Sequence, residues 1–402
     1  MNFNLTKEVS KGYISNETLE SMFSGNCIDI AYISHPTHPV VLGDKFLLKV
    51  NTNIGISKAS DLAEELRKIE TISKLSYAPD YFMDHTRELH LDKPVWKYLS
   101  EITDKPTGTL PVYSVADSKG TISRAALLEK IEEMGANGVN FITIHACAMK
   151  ELYELAKKSR RIPCTSWGGG LVLKDVEINR RETNIVDECF DDILKLATKY
   201  SLTINIGSTF RPATIEDALD EVSVAETKLQ KKYIDKCKKN GVQVVMEGVG
   251  HIPLGKIPEY GKLVAENGTP LMPLGPVPTD SAIDFDHVAA AIGATFMAKF
   301  GNTCAINCVS RVEHTGGIPT TEIIVEALKA ARTVEHIINL ERFVGESEID
   351  REISDKRANL ETCVVDGGLF EYKAPDGNNK KACSRCSCHC PLVQKIADNN
   401  FE

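Results

Sequence analysis

Between residues 45 and 340, short apolar runs rich in β-branched residues take turns with stretches of helical periodicity, and few folds accommodate such an alternation. KFLLKVNTN, TGTLPVYS, GVNFITIHA, SLTINIGS, GVQVVMEG, TPLMPLG and NTCAINCVS read as strands. Helical stretches fall between them: SKASDLAEELRKIE, ISRAALLEKIEEMG, MKELYELAKKS, IEDALDEVSVAETKLQKKYIDKCKK, DFDHVAAAIGATFMAKFG and the region 320–340. Strands separated by helices pair in parallel, and about eight such units in about 250 residues have the size of a (β/α)8 barrel. An open doubly wound sheet is the competitor, but no Gly-x-Gly-x-x-Gly turn follows the first strand. The expected chain is α/β: a small N-terminal cap over 1–44, a TIM-type (β/α)8 barrel over 45–340, and a C-terminal segment over 341–402. That last segment runs from helix through a flexible tether, APDGNNKKA, to a cysteine-rich tail.

Polar residues stand at or just past the ends of the apolar runs: Asn53, Asp84, Tyr113, His145, Ser166, Glu247 and His251. In a barrel all C-terminal strand ends open into one mouth, so these positions would meet there. For any single residue a polar strand end only announces a loop, and the repetition is what suggests a site. Composition excludes other classes. The chain has 42% hydrophobic residues and a net charge of -9, with no basic footprint for nucleic acid and no membrane span. Its first twenty residues lack a secretory pattern, and eight cysteines are scattered singly (Cys27, Cys147, Cys164, Cys189, Cys237, Cys304, Cys308, Cys363), so a reduced, cytoplasmic setting is expected.

The other four cysteines crowd the tail: Cys383-Ser-Arg-Cys386-Ser-Cys388-His-Cys390-Pro391. Soft thiolates at this density select zinc, copper(I) or an iron-sulfur cluster. The spacing Cys383-x2-Cys386-x3-Cys390 suits three irons of a 4Fe-4S cluster, leaving the fourth iron open to a small molecule. A zinc knuckle completed by Cys or His, or an adventitious tail, is the alternative, although no second Cys-x-x-Cys pair exists to close a structural zinc site.

Taken together, KVNTNIG (49–55), FMD (82–84), LPVYS (110–114), FITIHA (141–146), TSWGGG (165–170), RPATIEDA (211–218), VVMEGVGHIP (244–253), PLGPVPTD (273–280), FDHVAAAIGA (285–294), VEHTGGIP (312–319) and the terminal cysteines resemble the phosphomethylpyrimidine synthase (ThiC) family of radical S-adenosylmethionine enzymes. The resemblance implies a barrel, a homodimer, and a C-terminal segment whose Cys383, Cys386 and Cys390 hold a 4Fe-4S cluster, with Cys388 and His389 as extras. It implies a metal, zinc or iron(II), on His251 and His314, and it places Cys308 near the radical chemistry as a candidate catalytic residue. His287 reads as structural. Asn53, Met83, Tyr113, His145, Ser166, Gly168, Arg211 and Glu247 are the implied substrate contacts, Arg211 being suited to a phosphate.

The implied reaction rearranges 5-aminoimidazole ribotide to 4-amino-5-hydroxymethyl-2-methylpyrimidine phosphate for thiamine, using S-adenosylmethionine and a one-electron reductant protein. Departures fall in the implied pocket: Ser166-Trp167-Gly168 against the usual Ser-Arg-Gly, Gly207-Ser208-Thr209-Phe210-Arg211-Pro212 against Gly-Asp-Gly-Leu-Arg-Pro, Met272 against tyrosine, and His85-Thr86-Arg87 against Leu-Ser-Thr. They keep open a 5-hydroxybenzimidazole synthase of anaerobic cobalamin synthesis, or a paralogue acting on another ribotide or nucleoside. From a different class, a non-catalytic metal-sensing paralogue would keep the ligands without cleaving S-adenosylmethionine.

Overall fold

The computed structural model describes residues 1–25, 29–87, 91–300, 303–374, 383, 385–386 and 389–392. The chain divides into two compact units, 1–338 and 339–402. In the first, an antiparallel hairpin of β1 (Ala31–Ile33) and β2 (Val40–Leu42) precedes eight parallel strands: β3 (Lys49–Ile54), β4 (Tyr81–Asp84), β5 (Thr107–Thr109), β6 (Phe141–Ile144), β7 (Thr203–Ile206), β8 (Val244–His251), β9 (Leu271–Val277) and β10 (Ala305–Asn307). Strands β3 to β9 pair in sequence order, β10 returns to β3, and a parallel bridge from Leu271 to Thr303 closes the ring. This is the (β/α)8 barrel expected from the alternation.

Register decides what points inward. Asn51 lies beside Tyr81, Asn53 beside Met83, Thr143 beside Asn205, Glu247 beside Met272, and Asn307 beside Asn51. These side chains hydrogen-bond across the interior: Asn51 Nδ2 donates to Asn53 Oδ1 at 2.8 Å and to Asn307 Oδ1, while Asn205 Nδ2 donates to Thr143 Oγ1 and to Glu247 Oε1 at 2.7 Å. Below them Phe141 fills the space beside Gly108, where an added Cβ would fall 2.1 Å from the ring.

The N-terminal residues close the far end. Glu8 accepts from Lys49 Nζ at 2.5 Å, Lys7 pairs with Asp80, Tyr32 N–H donates to Gln243 Oε1, and Asn140 Nδ2 donates to Ser34 O, all at strand starts. In the second unit, the helix Glu348–Leu360 is followed by a bridge between Gly367 and Tyr372. The tether residues 375–382 and Cys388 lie outside the described residues.

Several elements differ from the sequence expectation. The run TGTLPVYS is a strand only as far as Thr109, because Pro111 starts a short helix, Pro111–Val115, at a position where its missing N–H costs nothing. The helix expected over 215–239 breaks at Leu219 (φ +57) and restarts at Glu221, capped by Asp220, which accepts from Ser223 N–H at 2.8 Å. Between β6 and β7 stand not one but three main helices, Lys150–Ser159, Trp167–Asn179 and Phe190–Tyr200.

One irregularity aims the site. Strand β8 slips register between Val249 and His251, with Val249 at φ +65 and Gly250 at φ +92. His251 N–H donates to Pro212 O at 3.0 Å, and a Cβ on Gly250 would lie 2.4 Å from that same carbonyl. The bulge thus needs glycine for both conformation and space. We expect Gly250→Ala to destabilise the fold by about 1–3 kcal/mol. Thermal unfolding checks this, and an unchanged midpoint would show that the bulge relaxes freely.

Candidate active site

The C-terminal strand ends surround a cavity of about 50 Å3 lined by Asn53, Met83, His85, Leu110, Tyr113, His145, Ser166, Arg211, Glu247, Gly248, Leu274 and Asn307. Seven of the eight expected substrate contacts line it. The eighth, Gly168, stands against its wall: a Cβ there would fall 2.5 Å from the His145 ring. Ser166 caps the helix Trp167–Asn179 by accepting from Gly169 N–H at 3.2 Å, and its hydroxyl meets His145 Nε2 at 2.8 Å. His145 Nδ1 is buried without a partner among the described residues.

Burial, reinforced by the Arg211 charge, pushes His145 down to about 3, so its imidazole is neutral at physiological pH. Burial pushes the Tyr113 phenol up to about 12 and raises Glu247, with Arg211 opposing the latter. Arg211 is placed by its own loop. Glu226, on the helix Glu221–Lys239, accepts from Ser208 Oγ–H at 2.7 Å and from the backbone N–H groups of Thr209 and Phe210. Arg211 Nη1 then donates to Ser208 O at 3.0 Å. Glu226, His85, Asn205 and Asn307 were not singled out by sequence as site residues; Glu226 lies on an ordinary amphipathic helix and carries no motif.

Beside the cavity stand two facing imidazoles. His251 Nε2 and His314 Nε2 are 3.1 Å apart, while each Nδ1 meets a carboxylate at 2.7 Å: Asp280 for His251 and Asp286 for His314. Nδ1–H donors to carboxylates leave lone pairs on both Nε2 atoms. Two lone pairs at this distance repel unless a proton or a cation lies between them. Asp280 and Asp286 stand in the segments PLGPVPTD and FDHVAAAIGA, where a lone aspartate carries no sequence signal that it orients a distant histidine. His287 packs near Glu326 with Nε2 3.6 Å from Oε1.

Cys308 is not brought to the cavity. It is buried in the layer between the barrel wall and the helix that starts at Thr321, accepts from Thr52 Oγ1–H at 3.2 Å, and burial pushes its thiol up to about 12. The alternation explains this: neighbouring Asn307 points inward, so Cys308 points outward. In the C-terminal unit Cys383, Cys386 and Cys390 are free thiols, and His389 N–H donates to Cys386 O at 3.0 Å.

A model of the Radical SAM ThiC family matches residues 5–396. The chain belongs to that family. Relatives of the Radical SAM ThiC family include the phosphomethylpyrimidine synthase of Pyrococcus abyssi (strain GE5 / Orsay), 32% identical over 89% of this chain and 86% of that protein. The phosphomethylpyrimidine synthase of Carboxydothermus hydrogenoformans is 31% identical over 94% of this chain and 91% of its own length. Membership makes the protein a radical S-adenosylmethionine enzyme and implies a 4Fe-4S cluster, S-adenosylmethionine, a small-molecule substrate and a reductant. No described helix is long and apolar enough to cross a membrane.

The neutral state of His145 has a measurable consequence. An unfolded histidine titrates near 6.5, so between there and about 3 the unfolded chain binds the extra proton and His145 loses stabilising power as pH falls. We expect the stability gap between wild type and His145→Gln to narrow by up to about 1.4 kcal/mol per pH unit from about pH 6.5 downward. Urea titrations at several pH values measure the gap, and a constant gap would mean that the imidazole is not held neutral.

Proposed function

We propose that the protein rearranges 5-aminoimidazole ribotide to 4-amino-5-hydroxymethyl-2-methylpyrimidine phosphate, the thiamine pyrimidine. The observation that carries this reading is the meeting, in one cavity, of seven side chains from seven different chain segments, in a family whose curated relatives bear the name phosphomethylpyrimidine synthase. Glu247, Asn53 and Asn307 offer hydrogen bonds to an amino-substituted ring and ribose hydroxyls, and the Arg211 guanidinium offers its fork of donors to a phosphate. Neutral His145, held by Ser166, presents an uncharged polar edge, and Met83, Leu110 and Leu274 keep the cavity partly apolar.

The cluster would be held by Cys383, Cys386 and Cys390, free thiols with soft-donor chemistry that the described residues do not gather into one ligand group. Reduced by one electron, it would supply that electron to S-adenosylmethionine, which would split into methionine and a deoxyadenosyl radical. His251 and His314 suit a zinc or iron(II) ion: ligands at the usual distance on a tetrahedral zinc stand about 3.3 Å apart, close to the 3.1 Å between these nitrogens. Among the described residues no group of three or more metal-ligating side chains is assembled, so two positions would be filled from outside that set.

Three measurements test the reading. Anaerobic incubation with reductant, S-adenosylmethionine and the ribotide should give deoxyadenosine and the pyrimidine phosphate by mass spectrometry. Hydroxybenzimidazole in its place would assign the alternative product, and no deoxyadenosine would refute catalysis. Cys386→Ala should keep the far-ultraviolet dichroism of the barrel and abolish deoxyadenosine formation; an active variant sinks the cluster assignment. His314→Ala should lose the second metal while retaining iron, which elemental analysis would contradict if zinc stayed stoichiometric.

A further inference from the structure

Beside the cavity, Tyr113 of its lining meets Trp167, which meets Arg87, two residues outside the expected contacts, so that three chain segments build one wall. Trp167, 39% exposed, directly follows Ser166, the residue that caps the helix and hydrogen-bonds to His145. The ring of Tyr113 meets the indole edge-on at 4.5 Å and 63°. The Arg87 guanidinium lies over the same indole, 4.6 Å from its centroid. Arg87 belongs to the segment after β4, whose backbone is pinned: His85 N–H donates to Ile54 O, Thr86 N–H to Asp84 Oδ1 at 2.8 Å, and Arg87 N–H to Ile56 O at 2.8 Å.

Arg87 is charged, exposed and unused. Among the described residues no carboxylate lies within ion-pair distance of it, and its side-chain contact is with the Trp167 indole, whose ring offers its N–H groups no oxygen acceptor. The charge reaches the cavity: Arg87 and Arg211 both act on His85 and Tyr113, two lining residues. Burial with that repulsion pushes His85 down to about 3, and its buried Nε2 has no partner among the described residues. Two guanidinium groups thus act on a neutral imidazole and an aromatic ring of the cavity lining and on the Glu313 carboxylate, and Arg211 acts also on Glu247, which accepts from Asn205.

We propose that Arg87, held over Trp167, is a second phosphate anchor that acts with Arg211, and that the Tyr113–Trp167–Arg87 wall sets the preference for a phosphorylated substrate. This rests on the ribotide reading above. A guanidinium clamped on an aromatic face is pre-ordered, so less entropy is lost when its edge receives a phosphate. The bland alternative is that Arg87 merely shields an exposed indole, and it predicts no discrimination between ligands with and without phosphate.

The test is titration calorimetry on the full chain with its cluster reconstituted anaerobically, without reductant, using aminoimidazole ribotide and the matching riboside. Arg87→Ala should weaken the ribotide about tenfold and the riboside by less than about twofold. Arg87→Lys should recover part of the loss, and raised salt should shrink the wild-type advantage, because the cation is exposed. Equal weakening of both ligands, or of neither, overturns the proposal. If the wild type binds neither, the ribotide reading falls, and pyrophosphate decides the anchor: binding lost in Arg87→Ala supports it, and binding that is absent or unaltered overturns it.

Discussion

A closed parallel sheet leaves its strands no choice of facing: every second residue points into the barrel, and the register of each pair fixes the height at which it does so. Asn51, Asn53 and Asn307 meet at one side of the interior, and Thr143, Asn205 and Glu247 at another. These bonds satisfy the amide N–H groups of Asn51 and Asn205 and immobilise the side chains, while Asn51 Oδ1 and Asn205 Oδ1 are buried without a partner among the described residues. The same bonds that make this interior affordable hold Asn53 and Glu247 in place before any ligand arrives. Preorganisation is therefore a by-product of barrel closure and needs no separate device.

The loops beyond the strands require more deliberate tethering. Glu226 gathers Ser208, Thr209 and Phe210 so that Arg211 is delivered to the cavity. The Val249–Gly250 bulge turns the end of β8 onto Pro212, which brings His251 beside that loop. Asp280 and Asp286 orient the two imidazoles, and Asp280 also accepts from Ile215 N–H, tying the pair back to the β7 loop. The phosphate-suited arginine and the paired histidines thus share one mechanical support, even though they are far apart in sequence.

How much of this could be read from the chain follows from what each feature depends on. The barrel was legible because alternation is a local property repeated many times. The meeting of Asn53, Met83, Tyr113, His145, Ser166, Arg211 and Glu247 was legible because strand ends converge by topology. Glu226 was not, since its task depends on where a helix face lands, and Cys308 was expected near the chemistry although the period of two turns it away. The helix Trp167–Asn179 was hidden by a Trp-Gly-Gly-Gly start of poor helix propensity, which its Ser166 cap overrides. Arg87 and Trp167 appeared only as separate departures from the family pattern; their contact joins two loops that sequence cannot juxtapose.

That contact also suggests how such a barrel diversifies. His251 and His314 come from β8 and the segment after β10, and the cysteines from a separate C-terminal unit. The Tyr113–Trp167–Arg87 wall comes from the segments after β4, β5 and β6. Side chains that would hold metal and those that build the wall therefore sit on different connections of one scaffold. An exchange at the wall, such as a cation supplied by residue 87 where residue 167 is aromatic, alters the charge geometry beside the cavity without touching a ligand. Barrel folds permit this because their connections vary independently while the strands hold still. A change at the wall can therefore alter what the cavity admits while the two histidines and the C-terminal cysteines stay as they are.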